Sequence, residues 1–172
     1  MKKLLCLLIF VFLVFPVNAV TLEGSVTYTV EQAREEAFRD VEWEIPKKML
    51  LKHRKDPNYR VHVVAKKYSQ NVLTDRYITF FSSGSYAYSY FDSPEYGYYF
   101  NERGNLTSIG KGYSEEYPHK TYKYDLKGKL ITVTFNVSVE ECFIFLPNGE
   151  LIGHWIGETC YDTDGNIRLN RK

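Results

Sequence analysis

The chain has 172 residues, with 22 Lys and Arg against 21 Asp and Glu and a formal net charge of +1. It contains no long run of one charge sign of the kind that recruits nucleic acid or an anionic membrane. Aromatic residues make up 16% of the chain and 15 of them are tyrosine, a residue suited to half-exposed sheet faces where the ring packs and the hydroxyl stays wet.

The first nineteen residues read as a leader. Lys2 and Lys3 precede an almost unbroken apolar run from Leu4 to Phe15, and Val17-Asn18-Ala19 supplies the small residues of a cleavage site. This pattern predicts a secretory signal cut after Ala19, since the run is too short to span a bilayer comfortably; the alternative is a retained membrane anchor. Its basic start has a bacterial character, so an exported protein, periplasmic or extracellular, is expected, with no membrane span left after cleavage. The remainder is long enough for one domain with a real core.

Residues 20–72 read as helical. Thr29-Val30-Glu31-Gln32 has the form of a capping box, and Ala33, Ala37, Phe38 and Val41 recur at helical spacing. Pro46 ends or restarts this helix, and Pro46 to His53 forms a short second one. Asp56-Pro57 reads as a cap followed by proline at the first helical position, opening a third helix with Val61, Val64, Ala65 and Tyr68 on one face, although the Val61-His62-Val63-Val64 run also suits a strand.

From residue 73 to 172 the texture is β. Tyr86, Tyr88 and Tyr90 alternate with Ala87 and Ser89, which puts three rings on one sheet face. Val133, Phe135, Val137 and Val139 alternate in the same way and are expected to face inward. A short final hairpin is expected from Tyr161 to Leu169, and the basic end, Arg168 to Lys172, reads as a frayed tail. One signature recurs five times: an aromatic, three residues, glycine, one residue, then an apolar or aromatic residue. The copies are Phe80…Gly84…Tyr86, Phe100…Gly104…Leu106, Tyr124…Gly128…Leu130, Phe145…Gly149…Leu151 and Tyr161…Gly165…Ile167. Glycine at that place takes the positive φ that closes a turn and opens a bulged hairpin. The fold expected is α+β, with the N-terminal helices packed on a twisted antiparallel meander of repeated bulged hairpins.

Two copies, Tyr124-Asp125-x-x-Gly128-x-Leu130 and Tyr161-Asp162-x-x-Gly165-x-Ile167, resemble the YD (Rhs-type) repeat and the variant MORN repeat of bacterial proteins. The resemblance implies a strip of hairpins used as a scaffold or binding surface, with no catalysis by the repeats. Thr29-Val30-Glu31-Gln32-Ala33-Arg34-x-x-Ala37 is similar to the opening of PepSY domains, which implies a link to peptidase inhibition.

Catalytic signatures are thin. His53, His62, His119 and His154 fall in no HExxH, and no CxxC, GxSxG or P-loop pattern occurs. No cofactor or metal site is expected; Asp162-Thr163-Asp164-Gly165-Asn166 reads as a hairpin turn in preference to a calcium loop. With the leader removed, only Cys142 and Cys160 remain. In an oxidising compartment they most simply form one disulfide, and the alternative is two buried free thiols. The candidate binding residues are Tyr86, Tyr88, Tyr90 and Tyr98, whose rings either bind sugars or extended peptide or pack beneath the helices, and His154 and Trp155 between two glycines. The function expected is a non-catalytic interaction or scaffold protein binding an envelope protein or glycan. Its alternatives are an envelope hydrolase acting on glycan or peptide and a PepSY-like peptidase inhibitor.

Overall fold

Helices α1 (Val30–Phe38), α2 (Lys47–His53) and α3 (Tyr59–Lys67) precede ten strands. These are β1 (Arg76–Phe80), β2 (Tyr86–Tyr90), β3 (Ser93–Phe100), β4 (Leu106–Lys111), β5 (His119–Tyr124), β6 (Leu130–Asn136), β7 (Glu141–Phe145), β8 (Leu151–Ile156), β9 (Thr159–Tyr161) and β10 (Ile167–Asn170). The structure, a computed structural model, describes residues 28–171. The predicted leader, residues 1–19, lies outside the described residues. The strands form one open sheet in strict sequence order, each antiparallel to the next. Residues 168–170, in the basic end read from the sequence as a frayed tail, instead belong to β10, which pairs with β9.

The same pair of backbone hydrogen bonds recurs at five turns. Gly84, Gly104, Gly128, Gly149 and Gly165 donate to the carbonyls of Phe81, Asn101, Asp125, Leu146 and Asp162, and each of those residues donates to the carbonyl four positions on. All five glycines have positive φ, between 71° and 86°. Asn101 and Asp125 reinforce their turns by accepting two backbone N–H groups on the side chain, as Asp162 does in the last one.

The N-terminal segment visits four of these turns in reverse order. Arg34 Nε donates to the Gly149 carbonyl at 2.8 Å. Ile45 N donates to the Gly128 carbonyl and Leu130 N to that of Trp43, each at 2.9 Å. Asp56 N and Leu106 N repeat that arrangement with Gly104 and Arg54. Lys66 then reaches Gly84. Turns on one end of an antiparallel sheet are two strands apart, roughly 10 Å. The segment covers that step every ten or eleven residues, which is why short helices alternate with extended stretches.

Thr29 and Gln32 close the capping box of α1, and Ala33 and Ala37 are fully buried in the same cluster as Phe143 and Phe145. Their small side chains let the helix approach the sheet closely, while Phe38 packs edge-on against Phe145. Helix α3 begins at Tyr59, later than predicted. Asp56 accepts from the Asn58 N–H but turns its other oxygen inward, so the chain makes a turn before the helix starts. The face predicted for α3 also differs: His62 and Ala65 point inward, and Val61, Val64 and Tyr68 are exposed. Val133 and Phe135 are buried as expected, but β6 ends at Asn136 and Val139 is exposed beyond it.

Candidate functional site

Ladder partners in a sheet share a face, so the register separates the two sides. One row reads Tyr88, Tyr98, Ile109 and Tyr124, all buried. The other reads Gly97, Gly110, Lys123 and Thr132.

The first row belongs to the aromatic surface expected to bind sugar or peptide. Tyr86, Tyr88 and Tyr98 are instead 4%, 2% and 4% exposed. His53 of α2 stacks on Tyr98 with ring centres 3.9 Å apart, and His62 of α3 lies against Tyr86 and Tyr88. Tyr90 is partly exposed, but Arg76 covers its ring at 4.8 Å. These rings are core because burial of so much aromatic surface is worth more than leaving it wet. Burial raises the Tyr98 hydroxyl pKa to about 12 and moves those of Tyr86 and Tyr88 further up.

Beneath α3 the helices and sheet enclose a polar chain. Asp56 Oδ2 lies 2.6 Å from His62 Nδ1 and accepts from the Tyr86 hydroxyl at 2.5 Å. Arg76 Nη1 is 3.3 Å from His62 Nε2, and Asp75 holds the guanidinium through two 2.7 Å bonds. A guanidinium only donates, so Nε2 accepts and the His62 proton sits on Nδ1, facing Asp56. Burial pushes the Asp56 carboxyl up, but the hydrogen bonds from His62, Tyr86 and the Asn58 backbone outweigh it and hold its pKa below the usual carboxylate value. The pair resembles a catalytic Asp–His couple in chemistry, yet both side chains are wholly buried and Arg76 occupies the nitrogen that would serve a nucleophile. Sequence reading missed this cluster because its members are spread over residues 56 to 86.

The second row forms the floor of a shallow groove of about 230 Å³ on the opposite face, with Thr121, Thr134 and Ser89 at its sides. Tyr99 lies flat across Gly97 and Gly110; a Cβ at either glycine would come within 3.5 Å and 3.3 Å of its ring. Lys123 Nζ sits 4.7 Å from the centre of that ring. Burial raises the Tyr99 hydroxyl pKa. Glu95 and Lys111 also line the groove, so it presents hydroxyls, charges of both signs and the Tyr99 ring, a set suited to hydrogen-bonding an extended polar ligand. A sequence signal for it exists: Tyr98 and Tyr99 are adjacent in a strand, so one must face away from the core.

His154 and Trp155, candidate anchor residues between two glycines, are each partly buried and lie on opposite faces of β8. His154 stacks on Phe143 at 3.9 Å and its Nε2 lies 2.9 Å from Glu141 Oε1. Trp155, on the other face, is half-buried under the Arg171 guanidinium at 4.0 Å. Trp155 also explains the cysteines. Cys142 pairs with Trp155, and Trp155 pairs with Cys160. Two ladder steps separate the Cα atoms by roughly 10 Å, beyond the ~7 Å reach of a disulfide. The expected bridge is not present and both thiols are free, Cys160 buried and Cys142 partly so. Asp162 spends its carboxylate on the N–H groups of Asp164 and Asn166.

Among the described residues no group of three or more His, Cys, Asp or Glu is arranged to hold a metal ion, and no helix is long and apolar enough to cross a membrane. No protein-family model, curated protein or solved structure matches the chain.

Proposed function

We propose that the protein is an exported bacterial interaction module, without catalysis, that binds a glycan strand of the cell envelope along the open face of its sheet. The observation that carries this reading is the Gly97–Gly110–Lys123–Thr132 row. Its two glycines let the Tyr99 ring lie flat on the sheet, and Tyr99, Thr121, Thr134 and Lys123 offer ring, hydroxyls and a cation along it. Sugars engage through such hydroxyl pairs and through C–H contacts with an aromatic ring. We further read the five glycine turns as copies of one bulged-hairpin unit akin to MORN or YD repeats, with the N-terminal helices closing the other face. The hydrolase alternative has less support, since the acid–histidine pairs Asp56–His62 and Glu141–His154 are a wholly buried pair and one partly buried pair paired off with each other.

Binding of isolated envelope glycans is the test, with the Thr134→Lys and Lys123→Ala variants beside the parent chain. Both positions face the groove, so a fall in binding of about tenfold with unchanged melting supports the reading. Binding that persists in both variants, or cross-linking that instead recovers one protein partner through the same face, removes the glycan.

A further inference from the structure

We infer that the outward face of α2 and α3 docks on an anionic lipid bilayer. Residues 47–67 carry eight Lys and Arg against a single acid, Asp56, a net of +7. That acid faces inward and is buried. The preceding stretch, residues 28–44, has six acids against two arginines, a net of −4, so the helical section is electrically polarised along its length. Lys47, Lys48 and Lys52 of α2 and Arg54 and Lys55 of its link to α3 are exposed. Arg60, Lys66 and Lys67 of α3 are exposed as well. Among the described residues none of these eight pairs with a carboxylate.

Apolar side chains stand among the cations. Leu51 is 71% exposed, Val64 52% and Tyr68 64%, and Val61 and Val63 join them. The fold does not need this face, because Leu50, His53, His62 and Ala65 supply the inward contacts of the two helices. Next to α2 lies a groove of about 720 Å³ with Leu50, Leu51, Leu106 and Leu126 on its walls and Lys52 and Lys55 at its rim. A nucleic-acid backbone would engage the cations but gain nothing from exposed leucine and valine. A bilayer uses both: anionic headgroups meet the Lys and Arg, and the apolar side chains enter below them. Sequence reading saw no single-sign run because buried and apolar residues interrupt it. Folding puts the buried ones inward and leaves cations and apolar side chains together outside. This inference is independent of the groove on the sheet's other face.

Co-sedimentation of the full chain with vesicles tests it, comparing phosphatidylglycerol–phosphatidylcholine mixtures with pure phosphatidylcholine. Any contribution of the apolar run at residues 4–15 is common to both, so the readout is the ratio of the two affinities. That ratio is expected to exceed ten at about 0.1 M salt, to fall steeply at higher salt, and to drop about tenfold or more in Lys48→Glu/Lys52→Glu/Lys55→Glu. Leu51→Ser/Val64→Ser is expected to weaken binding to the mixed vesicles severalfold, and Arg168→Glu on β10 to leave it unchanged. All these positions are exposed, so melting should match the parent. A ratio near one, an equal loss in Arg168→Glu, or retention of DNA or heparin without vesicle binding overturns the inference.

Discussion

Asp56 Oδ2 lies 2.6 Å from His62 Nδ1, and both side chains are wholly buried. The contact ties the turn before α3 to the helix itself, while the Tyr86 hydroxyl on the same oxygen ties both to β2. Removing one partner of such a pair strands the other in a dry interior. Asp56→Ala is therefore expected to lower stability by about 3 kcal/mol or more, whereas Tyr86→Phe, which leaves the Asp56–His62 bond in place, should cost about 1 kcal/mol. Urea midpoints of the two variants check the order; equal losses would show that the pair does not anchor α3.

Acid should unfold the protein in two stages. Burial, with the Lys52 charge beside it, lowers the His53 pKa from its ordinary 6.5. The unfolded chain then binds a proton that the folded one refuses, so stability is full above pH 6.5 and falls as pH drops toward the lowered value. Asp56 acts lower down: its folded pKa lies below the unfolded value, so its contribution holds above about pH 4 and is lost as pH falls through the folded value. His53→Phe keeps a ring on Tyr98 and removes a buried nitrogen, Nδ1, that has no hydrogen-bond partner among the described residues. It should be neutral or stabilising at pH 7 and should flatten the loss of stability between pH 7 and 5. An unchanged slope in that variant rules out His53 as the cause.

The turn glycines are not equivalent. Gly84 and Gly128 both have positive φ, which costs any other residue about 1 kcal/mol or more. A Cβ on Gly128 would also lie 2.8 Å from the Ile45 carbonyl oxygen, whereas one on Gly84 meets only side-chain atoms at 3.4 Å and beyond. Gly128→Ala is expected to cost roughly twice what Gly84→Ala does, and thermal melts of the two side by side decide it. Equal shifts would mean that the N-terminal segment does not seat on the turn.

Cys142 and Cys160 should both be alkylated when the protein is denatured without reductant. Burial raises the Cys142 thiol to about 11, so in the native protein it should react slowly at neutral pH. Peptide mass analysis distinguishes labelled Cys142 and Cys160 from a linked pair, and a linked pair would require Trp155 to leave its place between them.

Local signals carried much of this architecture. The capping box at Thr29 and Gln32, the turn before Gly128 and the alternation through Val133 and Phe135 depend on neighbours within a few residues, where backbone geometry and hydrogen bonding act directly. Strand order was also legible, because each strand pairs with the next. What could not be read was which partner each face would meet. The stripe of Tyr86, Tyr88 and Tyr98 looks the same whether solvent or a helix covers it, and only the return of α2 and α3 over the sheet made it core. His62 replaced the valines on the inner face of α3 because Asp56, Arg76 and Tyr86 converge there from distant parts of the chain. The cysteines were separated by register, a property of three strands together. Sequence determined elements and turns by short-range chemistry. Tertiary structure decided which faces are buried, because burial is settled by partners remote in the chain, and so decided which surfaces remain to bind anything.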